Sequence, residues 1–137
     1  MMRAILLLLV AGSAWAQDTV VSWETLGQVQ LVRDKNIYVP RFADAVLKLD
    51  AKEVKLQGFM MPLTVGDKQT HFVLTANPSE CAFCMSGGPE SMVEVKAKTG
   101  LKYSIDPVVV KGRLELVKND PAAGVFYRLH DAVPATK

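Results

Sequence analysis

The sequence predicts a mainly β protein, a small five-stranded OB-like barrel with one or two short N-terminal helices, on three observations. Runs of alternating apolar and polar residues stand at 54–61, 69–76, 91–97, 107–117 and 125–130, the period expected of half-buried strands. Gly58 and Gly112 each interrupt a run in its middle, where a small sheet must bend to close on itself. Turn-forming clusters, Gly66-Asp67 and Asn119-Asp120-Pro121 among them, separate successive runs at short spacing. A small two-sheet sandwich accepts the same strand spacing and is the competing architecture.

The first element is a leader. Met1-Met2-Arg3 precedes the apolar run Ala4–Val10, and Ala14-Trp15-Ala16 places small residues at a cleavage position. A positive start, an apolar stretch too short to cross a bilayer and that small-residue site make a secretory signal. The expected organisation is a signal peptide at 1–16 and a single domain at 17–137, periplasmic, with no membrane span once the leader is removed. The remaining 121 residues suffice for one core.

Ser22 stands as a cap before Trp23, Leu26 and Val29, which predicts a short helix or an irregular arm with Trp23 as a core plug. Residues 31–40 read as extended. Phe42, Val46 and Leu49 recur at helical spacing after Pro40, so a short amphipathic helix is expected over 41–49. Val54, Leu56, Gly58 and Met60 then share one face of the first long strand, and the Gly66-Asp67 turn makes the second strand its antiparallel neighbour. The third strand covers 91–97, and residues 98–106 are expected to be a connection around Gly100. The fourth places Val108, Val110, Leu114 and Leu116 inward, and the fifth closes the set.

The chain carries 16 Lys and Arg against 14 Asp and Glu, a balance that argues against electrostatic capture of nucleic acid or of an anionic membrane. No nucleophile elbow, zinc-protease helix, phosphate loop or dinucleotide fingerprint is present, and no enzymatic activity is expected. The dense chemistry lies at Cys81-Ala82-Phe83-Cys84, which runs into Met85-Ser86-Gly87-Gly88-Pro89-Glu90 and holds both cysteines of the protein. Two thiols at this spacing either close a small disulfide, exchange electrons, or grip one metal ion. A bridge across so small a loop adds little stability, and a redox catalyst wants a helix after the pair, whereas Gly-Gly-Pro follows here.

As metal ligands the pair supplies half of a closed zinc site, and zinc or copper(I) are the ions it suits. Met85, Glu90 and Met92 are the nearest further donors in sequence, and His71 on the second strand and His130 on the fifth are the candidates from elsewhere in the fold. A thioether from Met85 or Met92 would favour copper(I), and a nitrogen from His71 or an oxygen from Glu90 would favour zinc. Met60 and Met61 point to opposite faces of their strand and read as packing.

The segments Val54–Leu63, Cys81–Glu90, Val108–Gly112 and Phe126–Leu129, above all Gly58-Phe59-Met60-Met61-Pro62-Leu63 and the C-x-F-C-x-x-G-G-P loop, together resemble the bacterial exported family catalogued as domain of unknown function 3299. The resemblance spans about residues 23–132. It implies a small OB-like periplasmic domain, similar in some members to accessory components of zinc or other transition-metal transport, with Cys81 and Cys84 as the matching pair. The expected role is therefore a periplasmic accessory protein that binds a transition metal, serving a metal ABC transporter or its binding protein. A thiol/disulfide protein or a structural interaction module is the alternative.

Overall fold

A computed structural model describes residues 20–78 and 87–136. The expected leader at 1–16 lies outside the described residues, as do Cys81, Cys84 and Met85. The elements run α1 (Trp23–Leu26), β1 (Val29–Asp34), β2 (Ile37–Phe42), α2 (Asp44–Leu47), β3 (Glu53–Pro62), β4 (Lys68–Thr75), β5 (Met92–Lys102), β6 (Val108–Leu116) and β7 (Tyr127–Pro134).

Strands β3 to β7 form a closed barrel in the order β3-β4-β5-β7-β6, with β6 returning to β3. Every neighbouring pair is antiparallel except β5 and β7, which run parallel. This is the OB-like arrangement expected, and the alternation that predicted it sets the interior. Leu56, Phe72, Leu74, Val93, Val95, Val110, Leu114 and Leu129 are fully buried within it.

The two mid-strand glycines sit where the barrel turns. Before Gly58, β3 pairs with β6; after it, β3 pairs with β4. A methyl group on Gly58 would lie 2.5 Å from the Thr75 carbonyl oxygen and 3.0 Å from Trp23, so only glycine admits this close crossing. Along the part of β3 that precedes the crossing, the N-terminal arm fills in, with Val21 N–H donating to the Lys55 carbonyl at 2.9 Å.

Three expectations are corrected, and a fourth, the extended reading of 31–40, holds with a turn at its middle. Residues 29–42 are an antiparallel hairpin, β1–β2, turning through Lys35 at φ 56°; a second, two-stranded sheet thus precedes the barrel. The helix expected over 41–49 is the single turn α2, because Phe42 is the last residue of β2, buried there against Phe126 and Tyr127. Strand β5 continues through Gly100 to Lys102, since Lys68 and Gln69 of β4 pair with Lys102 and Leu101. Strand β7 begins at Tyr127 and extends to Pro134, held by pairing with Val110 and Lys111 of β6.

Ser22 caps α1 as expected, its Oγ accepting from the Thr25 N–H at 3.1 Å. Trp23 packs against the core and donates from Nε1 to the Gln57 carbonyl at 2.7 Å. Tyr127 is fully buried, and its hydroxyl donates to the carbonyl of Leu26, so the end of α1 is tied to the start of β7.

Candidate functional site

The C-x-x-C loop leaves the end of β4 and returns at the start of β5, so the described part of the site is its base. Thr75 pairs with Met92, and Ala76 N–H donates to the Ser91 carbonyl at 3.0 Å. The returning limb is a 3₁₀ turn, Pro89–Ser91, which opens at Gly88 and is closed by Ser91 N–H and Ser91 Oγ, both bonded to the Gly88 carbonyl at 3.0 and 2.8 Å. Gly87 has φ 96°, a conformation open to glycine and costly for other residues. The Glu90 carboxylate curls back over Gly88, where a Cβ would meet its two oxygens at 2.5 and 2.7 Å. Glu90 is exposed.

Beneath this base the outer face of the barrel carries a small apolar cluster of Met61, Val73 and Met92, with Val125 packed against it. Strand alternation produces it: Met60 enters the main core while Met61 points outward. Met92 is 2% exposed.

His71 lies four residues before Thr75, about 13 Å down β4 from the loop base at the usual rise per residue. It faces outward and bonds through Nε2 to Glu94 Oε1 of β5 at 2.7 Å. The second Glu94 oxygen accepts from Arg128 Nε of β7 at 2.6 Å. Arg128 also reaches Glu115 of β6 at 3.6 Å, and Glu115 bonds to His130 Nε2 at 2.5 Å. The two histidines thus end a ladder of five side chains across four strands. Burial alone would raise the Glu94 carboxyl, but the hydrogen bonds from Arg128 and His71 outweigh it and hold its pKa below the ordinary value. The His130 hydrogen bond does most to lower Glu115, against its partial burial. Glu94 and Glu115, in turn, hold the Arg128 guanidinium still more firmly charged.

Of the sequence-predicted donors, Glu90 stands on the loop limb, Met92 is packed at the loop base and His71 is engaged in the ladder. The structure does not bring these three side chains together, and among the described residues no three His, Cys, Asp or Glu side chains are grouped to hold a metal ion. Sequence reasoning passed over Glu94, Glu115 and Arg128. Their only signal is that each occupies an outward position on an alternating strand, and nothing in a linear reading pairs β5 with β7.

No helix among the described residues is long and apolar enough to cross a membrane. No curated protein matches the chain. A solved structure of a DUF3299 family protein from Pseudomonas aeruginosa is similar at 22% identity and a TM-score of 0.54, over 72% of this chain and 68% of that one; the likeness concerns the fold. The family described as "Protein of unknown function (DUF3299)" matches residues 16–133, which takes in the barrel, the hairpin and the C-x-x-C loop, and the chain belongs to that family.

Proposed function

We propose that the protein is an exported accessory factor that binds one transition-metal ion through the loop between β4 and β5, with the thiolates of Cys81 and Cys84 as its principal ligands and Glu90 as a third. The observation that carries this reading is the placement of Glu90: its carboxylate is turned back over Gly88 on the limb that leads directly from the cysteine pair. Two thiolates and a carboxylate oxygen suit zinc better than copper(I), which prefers soft donors throughout. Three ligands would leave one position of a tetrahedral ion open to a partner's donor. A metal ABC transporter or its binding protein is the partner class we assign, on the family resemblance.

In this reading Met92 and His71 serve the fold. Met92 fills the cluster with Met61 and Val73, and His71 gives its Nε2 to Glu94.

The test is competition for zinc between the reduced protein and a chromogenic chelator. One ion per chain is expected. Replacing Cys81 and Cys84 together by serine should abolish binding while leaving the β-sheet circular dichroism intact, and Glu90→Gln should weaken binding at least about tenfold, since losing a direct ligand costs no less than losing an outer-shell partner. Wild-type protein that binds zinc no tighter than the double serine variant overturns the proposal.

A further inference from the structure

A cleft of about 400 Å³ opens between β3, β6, β7 and the far half of β5. Lys98, its contribution from β5, is six residues beyond Met92, about 20 Å from the loop base at the usual rise per residue, so the cleft is separate from the proposed metal loop. Lys98, Lys111, Arg113 and the His130 imidazole line it, facing the carboxylates of Glu53 and Asp131. Three fixed positive charges therefore meet two negative ones on the lining, with a third carboxylate, Glu115, behind His130 and bonded to its Nε2 at 2.5 Å. The neutralisation is uneven: Lys111 stands 3.3 Å from Glu53, Arg113 reaches Asp131 only at 3.8 Å, and Lys98 makes no ion pair among the described residues.

The backbone is built around this opening. Strand β7 carries an extra residue opposite Gly112, shifting the β6–β7 register between Lys111 and Arg113. Asp131 takes φ 52° there, an unusual conformation for a residue other than glycine. Leu129 and Ala132 are both fully buried, so His130 and Asp131, consecutive in sequence, both face outward. Gly112 permits the arrangement, since a Cβ on it would lie 2.7 Å from the His130 carbonyl oxygen. Bulges of this kind commonly re-aim side chains beside a site, and here the bulge turns His130 outward beside its register partner Arg113, with the imidazole Nε2 held by Glu115.

We propose that the cleft binds an oxyanion, the phosphate or carboxylate group of a small solute, with Arg113 presenting two N–H donors to it, Lys98 and Lys111 adding charge, and His130 lining the wall. Planar guanidinium donors match both anions bidentately. The Arg113 contact with Asp131 is long and exposed, so an incoming anion displaces it at little cost. Glu53 and Asp131 oppose the cations, which limits the site to weak, exchangeable binding.

The experiment is an amide-resolved NMR titration of the folded chain with sodium phosphate and, separately, sodium succinate, each against sodium chloride at matched ionic strength. Saturable shifts confined to Lys98, Lys111–Arg113 and His130–Asp131 are expected with at least one oxyanion and not with chloride; the stronger of the two identifies the group preferred. Arg113→Gln and Lys98→Gln, both surface changes, should each weaken binding at least fivefold, with Lys35→Gln on the β1–β2 turn as the unaffected control. Shifts equal to those in chloride, shifts spread over lysines outside the cleft such as Lys35 and Lys102, or variants that bind as tightly as wild type overturn the proposal.

Discussion

Glu94 on β5 binds Arg128 on β7 at 2.6 Å, joining the two parallel strands of an otherwise antiparallel barrel through a charge-assisted hydrogen bond on its outer face. Both side chains are at least four-fifths buried, so the bond is shielded from water and from salt. The Glu94 carboxyl is held below its ordinary value of 4.5 in the folded chain. A carboxyl depressed by folding contributes stability above its unfolded pKa and loses it as pH falls through the folded one. Glu94→Gln should therefore cost about 1.5–3 kcal/mol at pH 7, the scale of a hydrogen bond to a charged group. The gap from wild type should close progressively below about pH 4.5. Urea unfolding at several pH values measures it; a gap of equal size at pH 3 and pH 7 would refute the assignment.

Tyr127 offers a second test with the opposite pH sign. Burial pushes its phenol up, and the negative charge of Glu90 pushes it further. The unfolded phenol ionises near its ordinary value of 10.0 while the folded one stays protonated, so stability should fall as pH rises above that value. Tyr127→Phe removes this alkaline sensitivity. At neutral pH the same change leaves the Leu26 carbonyl without its donor and should cost about 1 kcal/mol. An unchanged alkaline unfolding profile in the variant would show that Tyr127 is not the responsible group.

The glycines divide into two classes that mutation can separate. At Gly58 and Gly112 an added methyl meets backbone oxygens at 2.5 and 2.7 Å. Neither strand can move without opening the barrel, so Gly58→Ala and Gly112→Ala should each lose about 2–3 kcal/mol or more, the upper end of overpacking costs. At Gly124, φ is 69° with nothing within 4 Å. Gly124→Ala there meets only the left-handed backbone penalty, about 1–2 kcal/mol. Thermal unfolding of the three variants should rank them in that order, with Gly124→Ala the mildest.

The barrel was legible because burial on one face writes itself into alternation: Val54, Leu56, Gly58 and Met60 all point inward as the pattern implied. The β1–β2 hairpin was illegible for the converse reason. Most of its residues are half-buried or exposed, so no face is marked, and its turn uses Lys35 at φ 56° where a sequence reader looks for glycine. Phe42, Val46 and Leu49 mimicked a helical stripe because the end of a strand and the following turn of helix happen to bury residues at that spacing. The polar ladder escaped notice because it depends on register. His71 meets Glu94 only because β4 and β5 align Val73 with Glu94, and Arg128 joins them only because β7 lies parallel beside β5.

Met92 separates packing from ligation, since it lies at the base of the proposed metal loop and is also a soft donor. Its contacts are with Met61 and Val73 in an apolar cluster, where it is 2% exposed. If packing is its role, Met92→Leu should preserve both fold and metal affinity, because volume-conserving swaps in a packed cluster cost less than about 1.5 kcal/mol. Met92→Ala should instead lose about 2–5 kcal/mol through the cavity it leaves, and zinc affinity in the folded fraction should still match wild type. Zinc and copper(I) competition assays on the leucine variant check this directly. An affinity for copper(I) that falls tenfold in Met92→Leu at unchanged stability would make the thioether a ligand and would move the proposed site from zinc to copper(I).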